Sequence, residues 1–328
     1  MDKTISSKMM FCNVVCTIFV VLRHSLNIKA FFGSGQPTFW NQCIQNAFMN
    51  ITSIAVPFFF LMSGFFFFKG EVISEQKVNE NIIKRAKSLL IPFVVWGIIN
   101  TLILQLSDSN RYGILDGFFF THMWYVRDLM FFMLFTPIIA WLRHKTVFLQ
   151  YVLLTILLIL WEPVNNVFPS SEGALFFVLG CILNSRLLEV IKIPIPLFII
   201  LTLLWLWIPF YWEIGTTIIW QKIYIFAGVC LLWNTALNTN VSKISLIAKF
   251  SPFCFFIYCG HLYLLKAIKV SIAKYFGGND ILSIICFFLI PIIVMIVLFC
   301  IGNFMKKHTP KVYAVLIGYR KNDYMKRL

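Results

Sequence analysis

The stretch Met9–Ile28, MMFCNVVCTIFVVLRHSLNI, is apolar apart from Asn13 and Thr17 until it meets Arg23, His24, Ser25 and Asn27. Crossing hydrocarbon takes about 20 mostly apolar residues in a helix, and this stretch has that length. Lys3 and Lys8 precede it, as in a secretory leader. No small-residue cleavage site follows, however, and Arg23 and His24 interrupt its end. It therefore reads as a permanent first span. Hydrocarbon is a poor environment for an imidazole, so a histidine in such a span marks a functional site. The pattern recurs at Phe255–Leu265, FFIYCGHLYLL, with His261 beside Gly260.

The rest of the chain is of the same kind. Hydrophobic residues make up 60%, charged residues only 12%, and the mean hydropathy is +0.84. Ordinary soluble domains carry roughly twice that charge. Ten spans are expected, at roughly 9–28, 44–68, 88–106, 122–142, 147–162, 173–188, 194–211, 217–235, 252–273 and 281–305. The fold class is therefore all-α and polytopic, with one transmembrane domain at 1–305 and a basic tail at 306–328. The net charge of +15 would suit a nucleic-acid binder, but its distribution points elsewhere. Of the 28 lysines and arginines, 20 fall on one set of span ends and on the tail. That bias places both termini in the cytoplasm, which an even span count permits. No nucleic-acid partner is expected. The tail should lie on the cytoplasmic surface against anionic membrane lipids. The nine cysteines show neither C-x-x-C pairing nor metal-ligand spacing, so no metal is expected.

Several polar positions stand out against this background. Val56–Phe68, VPFFFLMSGFFFF, sets Ser63-Gly64 as a small notch in a wall of phenylalanine, with Pro57 expected to break one backbone hydrogen bond. Lys84–Phe93, KRAKSLLIPF, puts Arg85 and Lys87 at the mouth of the third span. A phosphate arriving from the cytoplasm would be met there, and a planar guanidinium suits phosphate. An ordinary cytoplasmic anchor is the plainer reading. In His122–Ile139, HMWYVRDLMFFMLFTPII, an aromatic belt accounts for Trp124 and Tyr125. Arg127 and Asp128 lie a turn deeper and should pair with each other's neighbours or with another helix.

Taken in order, VVLRHS, VPFFFLMSGFFFF, KRAKSLLIPF, HMWYVRDLMFFMLFTPII and FFIYCGHLYLL resemble membrane-bound acyltransferase family 3, the ten-helix O-acyltransferases of surface glycans. The resemblance covers most of the chain. It implies an acyl-CoA donor from the cytoplasm, typically acetyl-CoA, and a hydroxyl acceptor on a glycan or lipid-linked sugar at or beyond the outer face. The membrane would be a cell membrane, the bacterial cytoplasmic one. His24 matches the family's first-helix histidine. The family often places an Arg eleven residues earlier, about 16 Å along the same helix face; here that position is Asn13. Arg85 matches the first basic residue of the family's third-helix pair, and the second falls on Ser88, with Lys87 beside it.

On this reading His24 is the general base on the acceptor hydroxyl, since histidine titrates near neutral pH and its neutral ring takes up a proton. Arg85 and Lys87 hold the donor phosphates, with Ser63 at the donor passage. His261, Trp124, Arg127 and Asn13 line the acceptor side or the tunnel. A transporter or flippase for a polysaccharide or lipid-linked sugar is the alternative. Ten spans with polar residues inside suit it equally well. No internal repeat supports it, and Asp128 is the only clear intramembrane carboxylate.

Overall fold

The structure, a computed structural model, describes residues 3–25, 31–33, 35–69, 71–107, 123–162, 168–183, 192–211, 217–240 and 245–319. Asn27 and His122, expected near the outer ends of their spans, lie outside the described residues. Every described element is helical: α1 Lys3–His24, α2 Phe39–Ile51, α3 Ala55–Phe68, α4 Glu75–Ser107, α5 Trp124–Met133, α6 Thr136–Arg143 and α7 Val147–Leu160. There follow α8 Ser171–Ile182, α9 Ile195–Tyr211, α10 Ile218–Asn238, α11 Ser245–Phe250, α12 Cys254–Phe276, α13 Asp280–His308 and α14 Pro310–Leu316. Tight 3-10 turns at Thr52–Ile54 and Ser251–Phe253 join α2 to α3 and α11 to α12.

Each expected span falls on one of these helices or joined pairs. Among the described residues six helical runs are long and apolar enough to cross a membrane, or seven if the bent pair α5 and α6 is one span. The shorter apolar helices are α7, α8 and α9. The protein is a multi-pass membrane protein.

The boundaries differ where chemistry other than hydropathy decides them. The third span was expected to begin at Ser88, after the basic run. Instead α4 begins at Glu75 and is 33 residues long. That is about 50 Å of helix, more than the roughly 30 Å of a hydrocarbon core. The helix therefore extends beyond the apolar layer and carries Arg85 and Lys87 on its surface. Pro57, expected to break one backbone hydrogen bond in the second span, stands in the first turn of α3 just after the 3-10 turn Thr52–Ile54.

At three prolines a hydroxyl replaces the hydrogen bond that the ring removes. Proline cannot donate to the carbonyl four residues back, and an unsatisfied carbonyl in lipid is costly. Pro137 opens α6 at a 51° bend from α5, and the Thr136 hydroxyl donates to the Met133 carbonyl at 2.7 Å. Pro209 in α9 leaves the Trp205 carbonyl, which accepts from the Tyr224 hydroxyl at 3.2 Å. Pro291 in α13 leaves the Phe287 carbonyl, which accepts from Ser25 Oγ at 2.8 Å.

The chain forms two compact units. The first comprises Met1–Phe59 with Ser185–Cys300. Within it α1 packs on α10 and α12, and α2 packs on α9. Gly228 of α10 allows that helix to close on Trp205 and Ile54: a Cβ would stand 2.5 and 2.7 Å from their side chains.

The second unit comprises Phe60–Asn184 with Ile301–Leu328. Its core is aromatic, with Phe60, Phe65, Phe68, Phe176 and Phe177 fully buried. The fourth expected span also holds a corrected pairing. Arg127 and Asp128 pair with each other, Nε to Oδ1 at 3.0 Å, and Arg127 lies over the Phe168 ring at 4.4 Å. The long arginine side chain folds over Phe168 and reaches its sequence neighbour. Asp128 is fully buried and its Oδ2 accepts the Ser170 backbone N–H at 2.9 Å, while Ser170 Oγ caps α8 through the Gly173 N–H at 3.0 Å. Removing one partner of a buried pair leaves the other uncompensated. Asp128→Ala is expected to cost about 3–5 kcal/mol, read as a lower melting temperature in detergent, with Asp128→Asn milder because it keeps an acceptor.

Candidate functional site

Helix α1 ends at His24, and the chain turns there through the Ser25 N–H to the Leu22 carbonyl at 3.0 Å. The turn is held from three sides. Arg23 donates to the Met49 carbonyl of α2 at 2.6 Å, Lys269 Nζ of α12 donates to the His24 carbonyl at 3.3 Å, and Ser25 Oγ reaches Phe287 of α13. All three anchors use backbone carbonyls and leave the imidazole of His24 outside them. That side chain is exposed, although it belongs to the apolar first span. It projects from the last residue of its helix rather than from a packed middle turn.

His261, in the second turn of α12, is fully buried, and its ring centroid lies 5.2 Å from that of His24. Its Nδ1 is 2.7 Å from the Tyr258 carbonyl. A carbonyl only accepts, so Nδ1 is the donating, protonated nitrogen. One exposed imidazole thus stands against a buried one tied to the backbone through Nδ1. Asn13 lies half-buried three turns before His24, and its carbonyl accepts from Thr17 Oγ1 at 2.8 Å.

The other candidates fall in the second unit. Ser63 Oγ and the Tyr125 hydroxyl are 2.8 Å apart. Phe60 touches both Tyr125 and Trp124, with ring centroids 4.6 and 6.3 Å away. Arg85 is exposed on α4, its NH2 3.5 Å from the Phe66 carbonyl. Lys87 is exposed two residues further on. Sequence reasoning assigned Tyr125 to an interfacial belt and missed its contact with Ser63. Lys269, the cation on the His24 turn, was not singled out in the sequence. No short motif marks either residue.

A family model described as an acyltransferase domain matches residues 13–300 of the chain. No curated protein and no solved structure matches it.

Proposed function

Since the chain belongs to acyltransferase family 3 and is a membrane acyltransferase, we propose that it transfers an acyl group, acetyl first among them, from cytoplasmic acyl-CoA to a hydroxyl of a cell-surface glycan or lipid-linked sugar. The membrane is a cell membrane, with both chain termini on its cytoplasmic side. The observation that carries this reading is the state of His24: an exposed imidazole on a turn held by three helices.

His24 takes the proton of the acceptor hydroxyl as that oxygen attacks the thioester carbonyl. The C–S bond then breaks and the thiolate leaves as coenzyme A. A fixed base beside an open approach suits this step, because proton removal requires the base to meet the hydroxyl in hydrogen-bond range. Arg85 and Lys87 supply the cations for the donor phosphates, and Ser63, in contact with Tyr125, lies at the donor passage. His261, Trp124, Arg127 and Asn13 serve the acceptor side.

Mass spectrometry of surface glycans from cells with and without the gene tests the reading. Loss of an ester from a glycan that still reaches the surface is the expected result. Loss of the glycan itself from the surface would favour export over acylation. An unchanged set of esters would remove glycans as the acceptor.

A further inference from the structure

We propose that the C-terminal segment Pro310–Gly318 is a working part of the donor site: it seats on α4 where Pro92 opens the helix and holds the turn bearing Arg85 and Lys87. The inference rests on the reading of Arg85 and Lys87 as donor-phosphate residues.

Pro92 stands inside α4 and cannot donate to the Ser88 carbonyl. The carbonyls freed by Pro137, Pro209 and Pro291 each receive a hydroxyl. At Ser88 the neighbour is Gly318 instead. A Cβ on Gly318 would overlap the Ser88 oxygen, and would lie 2.7 Å from its carbonyl carbon and 3.0 Å from Pro92 Cδ. Gly318 is also the left-handed residue that ends α14, with φ of +74°. Its own N–H goes to the Val315 carbonyl at 3.2 Å, and the Tyr319 N–H goes to the Ala314 carbonyl at 2.7 Å. This is the paired hydrogen-bond cap that glycine favours. One position thus has to supply both a positive φ and a bare Cα.

The seat grips α4 on both sides of the break. One turn beyond Pro92, the Trp96 indole N–H donates to the Leu316 carbonyl at 3.1 Å. Trp96, Tyr313 and Ile317 are buried at this contact. One turn before Pro92, Ser88 Oγ donates to the Arg85 carbonyl at 3.0 Å. Gly318, Ser88 and Arg85 are therefore consecutive links. A helix lacking one rung bends most easily at that rung, and a loose turn would have to be ordered when the donor binds. The clamp removes that cost in advance. The segment lies beyond residues 13–300, the part matched to the family.

The test is calorimetric titration of coenzyme A into the full-length protein in lipid nanodiscs. The calorimeter separates affinity from the number of sites, and misfolding lowers only the number. Gly318→Ala is expected to weaken binding about tenfold and Trp96→Phe about threefold, at unchanged stoichiometry. Gly278→Ala is the control: its φ is +84° and nothing lies within 4 Å of the added Cβ, so affinity should match the parent. Arg85→Ala tests the underlying reading and is expected to lose at least about tenfold. If the parent fails to bind coenzyme A, or Arg85→Ala binds as tightly as the parent, the donor reading falls and this inference with it. If Arg85→Ala loses affinity while Gly318→Ala and Trp96→Phe keep the parental value, whatever their stoichiometry, the donor reading stands and the seat is overturned.

Discussion

His24→Ala will lower acyl transfer by about 10²–10⁴-fold, the contribution typical of a positioned general base, while leaving the protein folded and inserted. The second half of that expectation makes the experiment decisive. The ring is exposed, so deleting it opens no packed cavity. The contacts that fix the turn run to the carbonyls of His24, Met49 and Phe287 from Lys269, Arg23 and Ser25, and alanine keeps all of them. His261 retains its hydrogen bond to the Tyr258 carbonyl. The measurement is the ester content of the acceptor glycan in cells carrying each form at matched membrane abundance. Parental ester levels in the alanine variant would eliminate His24 as the base.

The second large effect concerns assembly. Gly64→Val and Gly180→Val are each expected to destabilise the protein by more than about 3 kcal/mol, at or above the usual range for overpacking. The two glycines face each other's helices. A Cβ on Gly64 would overlap the Phe177 carbonyl and stand 2.9 Å from the Cys181 nitrogen. A Cβ on Gly180 would overlap the Leu61 carbonyl and stand 3.0 Å from the Phe65 nitrogen. These neighbours are backbone atoms, which cannot swing aside as a side chain does. In lipid, helices associate through close packing rather than through expulsion of water, so losing this approach removes the main attraction between α3 and α8. Because the contact is shared, the double variant should cost less than the two single costs added together. Thermal unfolding in detergent is the readout. A parental melting temperature in Gly64→Val would show that α3 and α8 are not held by this crossing.

Much of this was legible in the chain itself. The notch at Ser63-Gly64 was visible as two small residues in VPFFFLMSGFFFF, but not which of the two did what. The glycine makes the helix contact, while Ser63 turns its hydroxyl to Tyr125. Arg127 and Asp128 were recognised as needing partners, yet adjacent helical residues do not ordinarily face each other. Their mutual pairing depends on Phe168, some forty residues away in sequence, over which the arginine folds. The basic run of α4 was found, but not its seat against Gly318, because nothing local connects Ser88 to a residue in the tail.

By itself the sequence determined that this is an all-helical membrane protein and that His24, His261 and Arg85 needed explaining. Those features follow from run length, hydropathy and charge, which act over a few neighbouring residues. The tertiary structure alone decided that His24 is open while His261 is buried against it, that α3 and α8 cross at their glycines, and that the tail's first helix rests on α4. Lipid is as apolar as a protein interior, so hydropathy does not tell an apolar helix which face to turn inward. That choice is made by close backbone approach and by the few hydrogen bonds left to be satisfied, and both depend on residues distant in the chain.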